Sequence, residues 1–211
     1  MSSKKPFIPA VILAGGKGTR LGEVDKCLLQ LNGKSILDTL VTRLTAQCSP
    51  ILLNANGDKT RFKNFDGAII PDISDSLLGP LSGIHSALVH LSKLQTNDKT
   101  SSNYLLSVPG DCPFIPDDLA AQLKTHANDQ DLDVVTCKSG DREHFVVSLW
   151  KISLADKLNS FLDSGNRSVG QFIRSCDSGV VEFPINPIDP FFNINTPEDF
   201  EMAEQLLNSK H

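Results

Sequence analysis

A short apolar segment that ends abruptly at a glycine-rich loop constrains the fold of this chain more than any other feature. Residues 7–13 are apolar and partly β-branched, as in a buried strand, and Gly15-Gly16-Lys17-Gly18 follows almost at once. Glycines adopt positive φ angles and let a backbone approach a ligand closely, and successive N–H groups in such a loop can surround phosphate oxygens. A strand followed by this kind of loop opens many nucleotide-binding α/β folds.

Predicted strands and helices alternate through the first half of the chain. Short apolar runs predict strands at 51–53, 68–70 and 104–108, and apolar residues at helical spacing predict helices at 36–44 and from Pro80 onward. This alternation is typical of an α/β fold in which helices flank a parallel sheet.

Polar residues follow the ends of these predicted strands. Asn54, Asp72 and Asp111 each come shortly after an apolar run. Ligands of open parallel sheets bind outside the carboxyl ends of the strands. These side chains and the glycine-rich loop are therefore expected to line one crevice.

The second half of the chain is less regular. The turn Ser139-Gly140-Asp141-Arg142 separates two strand-like segments and predicts a hairpin added to the sheet. The strand-like segments of this half are 133–137, 145–150 and 180–183. Helices are predicted at 154–162, at 169–173 and after Thr196, an N-cap followed by Pro197 in the first turn.

Composition and charge narrow the class of protein. The length of 211 residues suits one α/β domain, and a net charge of -5, from 20 basic and 25 acidic residues, favours a small-molecule ligand over nucleic acid. The apolar run at 8–14 is too short to span a membrane or to form a signal peptide. The five cysteines include no C-x-x-C pair, which argues against zinc and disulfides and for a cytoplasmic location.

Two cations beside the glycine-rich loop complete a pattern suited to a triphosphate. Arg20 can form paired hydrogen bonds with a phosphate, and Lys26 adds a mobile point charge that can neutralise a departing pyrophosphate. Two other glycine motifs do not match, because Leu21 occupies the last glycine of a dinucleotide fingerprint and Thr19 replaces the lysine of a P-loop. A tight turn with solvated cations is the alternative.

Asp111 is the predicted metal ligand. It lies in the segment PGDCP, where a carboxylate at a strand end is held between prolines and a glycine. Magnesium prefers one or two carboxylates together with phosphate oxygens. A helix N-cap or an Asx turn is the alternative for Asp111, and a stronger one for Asp72. Asn54 either hydrogen-bonds a base or ribose or closes a turn, and the segment 79–83 either contacts a base or sugar or begins a helix.

Together these segments resemble the molybdenum cofactor guanylyltransferases from Val11 to about Leu206. The segments that carry the resemblance are LAGGKGTRLGEVDK, LLNAN, the strand end at Asp72, GPLSG, PGDCPFIP and FFNINTPEDF. The resemblance implies a single Rossmann-like nucleotide-binding domain over residues 1–211, with a mostly parallel, mixed central sheet flanked by helices. A nucleotide-binding half at about 7–115 and an acceptor-binding half at about 116–211 are expected.

The resemblance also implies a reaction, the transfer of GMP from GTP to molybdenum-loaded molybdopterin with Mg²⁺ and release of pyrophosphate. The phosphate of the acceptor is expected to attack the α-phosphorus in line. A phosphate is already ionised near neutral pH, so no dedicated general base is needed. Arg20, Lys26 and Asp111 are the expected catalytic residues, with Mg²⁺ on Asp111.

The resemblance assigns a set of residues to the nucleotide. They are Leu13, Ala14, Gly15, Gly16, Lys26, Asn54, Asp72 and Asp111. In this assignment the glycine-rich loop contacts the guanine nucleotide, Lys26 faces phosphate, and Asn54 and Asp72 lie along the nucleotide. The pair Gly15-Gly16 resembles the guanylyl version of the loop, whereas the related cytidylyltransferases usually carry an LAAG-like loop.

The acceptor side is less well defined. Candidates for the pterin are His144, Arg167, Asn193 and Asn195. The chain departs from the family at Cys27, where glycine is frequent, and at Phe145, where proline often follows the histidine. For His144, a strand-end histidine without a ligand is the alternative.

Three rival functions stay open from the sequence. The first two are nucleotidyl transfer to another acceptor such as a sugar 1-phosphate, and cytidylyl transfer to molybdopterin. The third is a non-catalytic GTP-binding protein that delivers a cofactor, against which the combination of Lys26 and Asp111 argues. A monomer is expected, with transient contacts to other molybdenum cofactor proteins and to molybdoenzyme chaperones implied by the resemblance.

Overall fold

A computed structural model describes residues 7–14, 17–18, 24–73, 79–94 and 102–208. In these residues the main sheet has seven strands, in the order β7-β5-β6-β4-β1-β2-β3. The strands are β1 Ile8–Leu13, β2 Cys48–Asn54, β3 Ala68–Ile70, β4 Tyr104–Pro109, β5 Val134–Ser139, β6 Arg142–Lys151 and β7 Ser178–Glu182. All neighbouring pairs are parallel except the two that involve β6. The expected α/β fold with a mostly parallel, mixed sheet is confirmed.

Helices cover both faces of this sheet. They are α1 Ile36–Thr45, α2 Pro80–Leu94, α3 Leu119–Gln130, α4 Ala155–Asp163, α5 Val169–Arg174 and α6 Pro197–Asn208. Single turns of 3₁₀-helix lie at 26–28, 59–62 and 152–154. Two-residue ladders join Lys17–Gly18 to Val24–Asp25 and Gln30–Leu31 to Lys34–Ser35.

Strand β1 shows why two separate cores form. Successive side chains of a strand point to opposite faces, so Ile8, Ala10 and Ile12 pack with α1 and α3, while Val11 packs with α2, α4 and α5. All four of these β1 residues are buried. A strand buried on both faces reads as a continuous apolar run, which is what the sequence shows at 8–13.

Helix α3 was not predicted from the sequence. Its buried positions are Leu119, Ala120, Leu123 and Ala127. Two of these four are alanines, so the apolar stripe contains few long aliphatic side chains and the helical period is weak. The helix nevertheless contacts β5, β6 and β7 and belongs to the first core.

The predicted hairpin is present but contains a bulge. Strands β5 and β6 are antiparallel, with His144 opposite Cys137 and Ser148 opposite Thr136. Residues 145–147 therefore have no counterpart on β5, and strand β6 bends at this point. The Trp150 Nε1 donates to Ser107 Oγ at 2.8 Å, and Ser107 Oγ donates to the carbonyl of Val146 at 2.6 Å. A buried hydroxyl thus fixes the backbone of the bulge.

All five cysteines carry free thiols, and four of them are buried. Burial, with the charge of Asp25 as the next cause, raises the pKa of Cys27 to about 12. Cys27 therefore stays a neutral thiol near neutral pH and packs as a small buried hydrophobic residue. Among the described helices, none has the length and apolar character needed to cross a membrane.

Candidate active site

One cavity of about 720 Å³ opens at the carboxyl ends of β1, β2 and β4. Backbone hydrogen bonds join the three strand ends, from Ala14 N to Asn54 O and from Gly110 N to Leu13 O, both at 2.9 Å. Leu13, Ala14, Lys26, Asn54, Asp72 and Asp111 all line this cavity. The crevice expected at the strand ends is therefore present. Gly15, Gly16 and Arg20 lie outside the described residues.

Asp111 and Lys26 meet near the middle of the cavity. The Lys26 Nζ lies 3.5 Å from Asp111 Oδ2 and donates to Asn195 Oδ1 at 2.6 Å. The Asn193 Nδ2 donates to Asp111 Oδ1 at 3.2 Å. The Asp111 backbone carbonyl also accepts from Ile194 N at 3.0 Å, which connects β4 to the segment before α6. Two distant segments thus hold one charged pair.

Burial raises the pKa of Asp111, and the opposing attraction of Lys26 does not cancel this effect. A buried carboxylate in this position favours an additional cation. No group of three or more His, Cys, Asp or Glu side chains in the described residues is arranged to enclose a metal ion. One carboxylate fits a magnesium ion that takes its other ligands from substrate phosphates and water.

Asp72 is fixed by two amide side chains. Its Oδ1 accepts from Asn54 Nδ2 at 3.0 Å, and its Oδ2 accepts from Asn56 Nδ2 at 2.8 Å. The Asn54 Nδ2 also donates to the Ile70 carbonyl at 3.2 Å. Asn56 was not singled out in the sequence. Its position two residues after Asn54 gives the same strand-end pattern, so it was open to prediction.

Gly83 makes room for Asn54. A Cβ atom at Gly83 would lie 2.1 Å from Asn54 Oδ1 and 2.8 Å from Leu13 Cδ2. No carbon atom fits at those distances, so helix α2 approaches the site closely only because this position is glycine. The segment GPLSG therefore both begins a helix and sets the shape of the cavity beside Asn54.

Arg61 joins the base of the glycine-rich loop to this network. Its Nη1 donates to Asp25 Oδ2 at 2.5 Å, and its Nη2 donates to the Asn56 carbonyl at 2.6 Å. Asp25 pairs with Lys17 in the short ladder that closes the loop. Arg61 lies in a single 3₁₀ turn with no recognisable motif, so the sequence offered no indication of its role.

The far end of the cavity is formed by β6 and α5. Residues of this end are Arg142, Glu143, His144, Phe145, Val146, Val147, Ser168, Val169, Gly170 and Arg174. Asn193 also lines the cavity. Asn195 is not part of the lining, but its Oδ1 accepts a hydrogen bond from Lys26, which is. Arg142 and Arg174 were not predicted, because the sequence indicated a turn at Arg142, which begins β6 in the structure, and because Arg174 ends a short helix.

Arg167 lies outside this lining. Its Nη1 donates to the carbonyls of Leu162 at 2.7 Å and Asn166 at 2.6 Å. These bonds hold the chain between α4 and α5. In the described structure Arg167 therefore supports the segment that leads to the cavity, and it does not contribute to the surface of the cavity.

The fold and this cavity define a nucleotidyltransferase, and comparison with known proteins agrees. The family of MobA-like NTP transferase domains matches residues 10–178. A structure of a molybdopterin-guanine dinucleotide biosynthesis protein A from Archaeoglobus fulgidus has a TM-score of 0.75 at 22% identity, covering 96% of this chain and 100% of that one. A 4-diphosphocytidyl-2C-methyl-D-erythritol synthase from Anaerococcus prevotii has a TM-score of 0.67 at 16% identity, covering 97% of each chain.

Sequence relatives narrow the family further. A molybdenum cofactor guanylyltransferase from Rhodopseudomonas palustris is 39% identical over 95% of this chain and 94% of the relative. Another from Shewanella sp. strain MR-4 is 38% identical over 95% of this chain and 97% of the relative. The chain belongs to the molybdenum cofactor guanylyltransferase family of MobA-like NTP transferases, which confirms the resemblance and the assignment as an enzyme.

Proposed function

We propose that this enzyme transfers GMP from GTP to the phosphate of molybdenum-loaded molybdopterin and releases pyrophosphate. One observation carries the proposal. A single cavity runs from Leu13 and Asn54 at one end to β6 and α5 at the other, with Lys26 and Asp111 between them. Such a cavity accommodates a nucleotide and an acceptor side by side, with the charged pair at their junction. The names of the relatives support guanine and molybdopterin as the substrates.

In this mechanism an oxygen of the acceptor phosphate attacks the α-phosphorus of GTP. A new P–O bond forms on one side as the bond to pyrophosphate breaks on the other, and the electron pair leaves with pyrophosphate. The attacking phosphate is already ionised near neutral pH, so no side chain has to remove a proton. The neutral thiol of Cys27 is accordingly not required as a nucleophile.

The protein contributes position and charge. Lys26 donates to Asn195 at 2.6 Å and lies 3.5 Å from Asp111, and these contacts hold its ammonium group where it can face the phosphates. Preorganised cations act where charge develops in the transition state. Asn193 holds one Asp111 oxygen and so orients the carboxylate.

Asp111 is the proposed ligand for Mg²⁺. When bound, the ion would neutralise charge on the phosphates of GTP and draw them into the geometry for in-line displacement. Asn54 and Asp72 are the proposed contacts for the nucleoside, and the Gly15-Gly16 loop and Arg20 the contacts for the phosphates. Asn193 and His144 are the proposed acceptor contacts within the cavity, with Asn195 acting through Lys26. Arg167 stays a proposed acceptor contact, although it lies outside the cavity lining and its Nη1 bonds to backbone carbonyls between α4 and α5.

The test is pyrophosphate release with Mg²⁺, molybdenum-loaded molybdopterin and each of the four NTPs in turn. With the acceptor present, pyrophosphate release is expected with GTP and with none of the other three NTPs. Release with CTP instead would retain the mechanism and overturn the choice of base. Release with GTP and a sugar 1-phosphate in place of molybdopterin would overturn the acceptor. GTP binding without release, with an acceptor shown to be intact, would favour a cofactor-delivery role.

The cytoplasm is the proposed location. Five free thiols suit a reducing compartment, because an oxidising one favours disulfides. Size measurement by light scattering would test the proposed monomer, for which a mass near 22.9 kDa is expected.

A further inference from the structure

His144 is a buried polar residue in a part of the cavity wall that contains both apolar and charged side chains. It is the last residue of β6 before the bulge, and it lies in the cavity lining beside Phe145 and Val147. Its side chain is buried, with 7% of the residue exposed, and its ring packs against Phe191 at a centroid distance of 4.8 Å. The imidazole is therefore held in one position by its surroundings.

A chain of hydrogen bonds fixes which nitrogen of His144 carries the proton. The Ser139 Oγ lies 2.6 Å from His144 Nε2 and 2.8 Å from Asp189 Oδ1. Ser139 has one hydroxyl proton, and an ionised Asp189 can only accept. Because the hydroxyl donates to Asp189, it must accept from His144, so the proton of the neutral imidazole lies on Nε2.

The other ring nitrogen is left as an acceptor. Across the described residues, Nδ1 of His144 has no hydrogen-bond partner. In the described chain, the side-chain atoms that lack a partner and are also fully enclosed are Ser82 Oγ and His85 Nδ1. Nδ1 of His144 lacks a partner but is not one of these, so it retains some exposed surface. This nitrogen is therefore accessible from the cavity that His144 lines.

Burial of the ring favours its neutral form. Burial lowers the pKa of His144, the charge of Asp189 opposes this effect, and the nearby Arg142 adds to it. A neutral imidazole with its proton on Nε2 presents a lone pair at Nδ1. The cavity thus offers a buried, fixed hydrogen-bond acceptor at the end away from Asn54.

We propose that His144 Nδ1 accepts a hydrogen bond from an N–H or amino group of the acceptor's planar heterocycle, with Ser139 and Asp189 fixing the tautomer. The inference rests on the proposed function, in which the acceptor is a pterin. A flat ring system with N–H donors on one edge matches the apolar side chains of Phe145, Val147 and Val169 with the fixed acceptor of His144 beside them. Glu143 is a further acceptor in this lining, but its carboxylate is not held in place by Ser139 and Asp189. His144 is in this account a specificity residue for the acceptor and has no part in binding GTP.

Steady-state kinetics of His144→Phe test the contact. Phenylalanine keeps a ring against Phe191 but has no acceptor. The KM for molybdenum-loaded molybdopterin is expected to rise about 10-fold or more, because the donor of the ligand loses its partner in a buried site, while the KM for GTP stays unchanged. His144→Gln, which restores an acceptor oxygen, should recover part of the loss. An acceptor KM unchanged in His144→Phe overturns the proposal.

His126→Phe is the matched control. His126 lies on α3, where it contacts Gln130, and it is not part of the cavity lining. Both KM values should equal those of the wild type. A rise in acceptor KM as large as that of His144→Phe would mean that loss of a histidine acts through the fold, and it would overturn the assignment.

Nuclear magnetic resonance tests the tautomer without relying on turnover. Two-bond ¹H–¹⁵N spectra of protein labelled at histidine nitrogen should show His144 as the Nε2–H tautomer, identified by its loss in His144→Phe. The Nδ1 resonance should shift when molybdenum-loaded molybdopterin is added without GTP, and Ser139→Ala should introduce the Nδ1–H form. An Nδ1–H tautomer in the wild type, or an Nδ1 resonance unchanged at saturating acceptor, overturns the proposal.

Different results would overturn the proposed function and the His144 contact. If the wild type releases no pyrophosphate with GTP and intact acceptor, the proposed function is wrong, and the pterin contact is overturned with it. If the wild type is active but His144→Phe has the acceptor KM of the wild type, only the His144 contact is wrong.

Discussion

The carboxylate of Asp111 lies where burial opposes its charge. Burial raises its pKa in spite of Lys26, so the carboxyl binds a proton more readily in the folded protein than in the unfolded chain. Stability contributed by this group is present at low pH and is lost as the pH rises through the raised pKa. The position of this carboxylate is better explained by the binding of a cation than by a contribution to the stability of the fold.

Replacement of Asp111 by asparagine should therefore separate activity from stability. The amide removes the unfavourable charge and keeps an oxygen that can accept from Asn193. The free energy of unfolding in urea at pH 7 is expected to rise by up to about 1 kcal/mol, while pyrophosphate release falls to background. Turnover near the wild-type rate would contradict the assignment of Asp111, and a marked loss of stability would contradict its electrostatic description.

Replacement of Lys26 by methionine should affect the chemical step. Methionine keeps most of the length of the side chain and removes the ammonium group that faces the phosphates. A fall in kcat of roughly 10²–10³-fold is expected from the loss of one preorganised charge, measured by pyrophosphate release at saturating substrates. Lys34→Met, at an exposed lysine that contacts Thr42, is the control and should keep the wild-type kcat. Equal kcat values in both variants would remove Lys26 from the mechanism.

At the scale of elements, helix α2 closely approaches strand β2 at Gly83, beside Asn54. Alanine at Gly83 should force Asn54 away from its position, since the new Cβ would overlap Asn54 Oδ1. Alanine has a higher intrinsic helix propensity than glycine, which by itself would stabilise the protein by about 1 kcal/mol. The KM for GTP is expected to rise about 10-fold, with a loss of stability of about 1–3 kcal/mol from overpacking.

Ser92→Ala, at an exposed position of the same helix, is the control for that measurement. It should leave both the KM for GTP and the free energy of unfolding near their wild-type values. A Gly83→Ala enzyme that is more stable than the wild type and binds GTP normally would show that the clash is relieved elsewhere and does not involve Asn54.

Two buried hydroxyls bond to the backbone of the bulge in β6, Ser107 Oγ to the Val146 carbonyl and Ser148 Oγ to the Phe145 carbonyl. Ser107→Ala would leave the Trp150 Nε1 and the Val146 carbonyl without this partner, which should lower the free energy of unfolding by about 1–3 kcal/mol. The single tryptophan reports the transition by its fluorescence. Ser160→Ala on the exposed face of α4 is the control. The acceptor KM should also rise in Ser107→Ala, because residues 145–147 form the cavity wall, and an unchanged KM would separate the bulge from acceptor binding.

The strands and helices whose apolar residues recur with a clear period were predicted from the sequence. Helix α3 and the bulge in β6 were not, because they depend on how side chains and strands pack. Strand β3 has the predicted bounds, and α2 begins at Pro80 as expected. Helix α3 was missed because alanines replace longer side chains on its buried face. The bulge was missed because three unpaired residues in an apolar run change the pairing without changing the pattern of side chains.

The candidate site was predictable where residues follow a strand end or belong to a family motif. Asn54, Asp72 and Asp111 satisfy the first condition, and Lys26 the second. Arg61, Arg142 and Arg174 satisfy neither, because their positions depend on how distant segments pack. Arg167 was predicted for the acceptor and lies outside the cavity lining, where its Nη1 donates to two backbone carbonyls, so its role in acceptor binding stays a prediction.

At the scale of the whole molecule, the reversed strand β6 brings the second half of the chain to the nucleotide site. Strands β1 to β4 run in one direction and provide the carboxyl edge. Strand β6 lies next to β4 but runs in the opposite direction, so its first residues lie at that same edge. The expected division into halves at 7–115 and 116–211 stays a prediction, and the shared cavity shows how the two could act together.

The most direct test follows the phosphorus atom. GTP labelled with ³²P at the α-position is incubated with the enzyme, Mg²⁺ and molybdenum-loaded molybdopterin, and the products are separated. The account predicts that the label moves into a product containing both guanosine and the pterin, that pyrophosphate is unlabelled, and that Asp111→Asn forms no such product. Label found only in GTP, or in free GMP made equally well without the acceptor, would contradict the account.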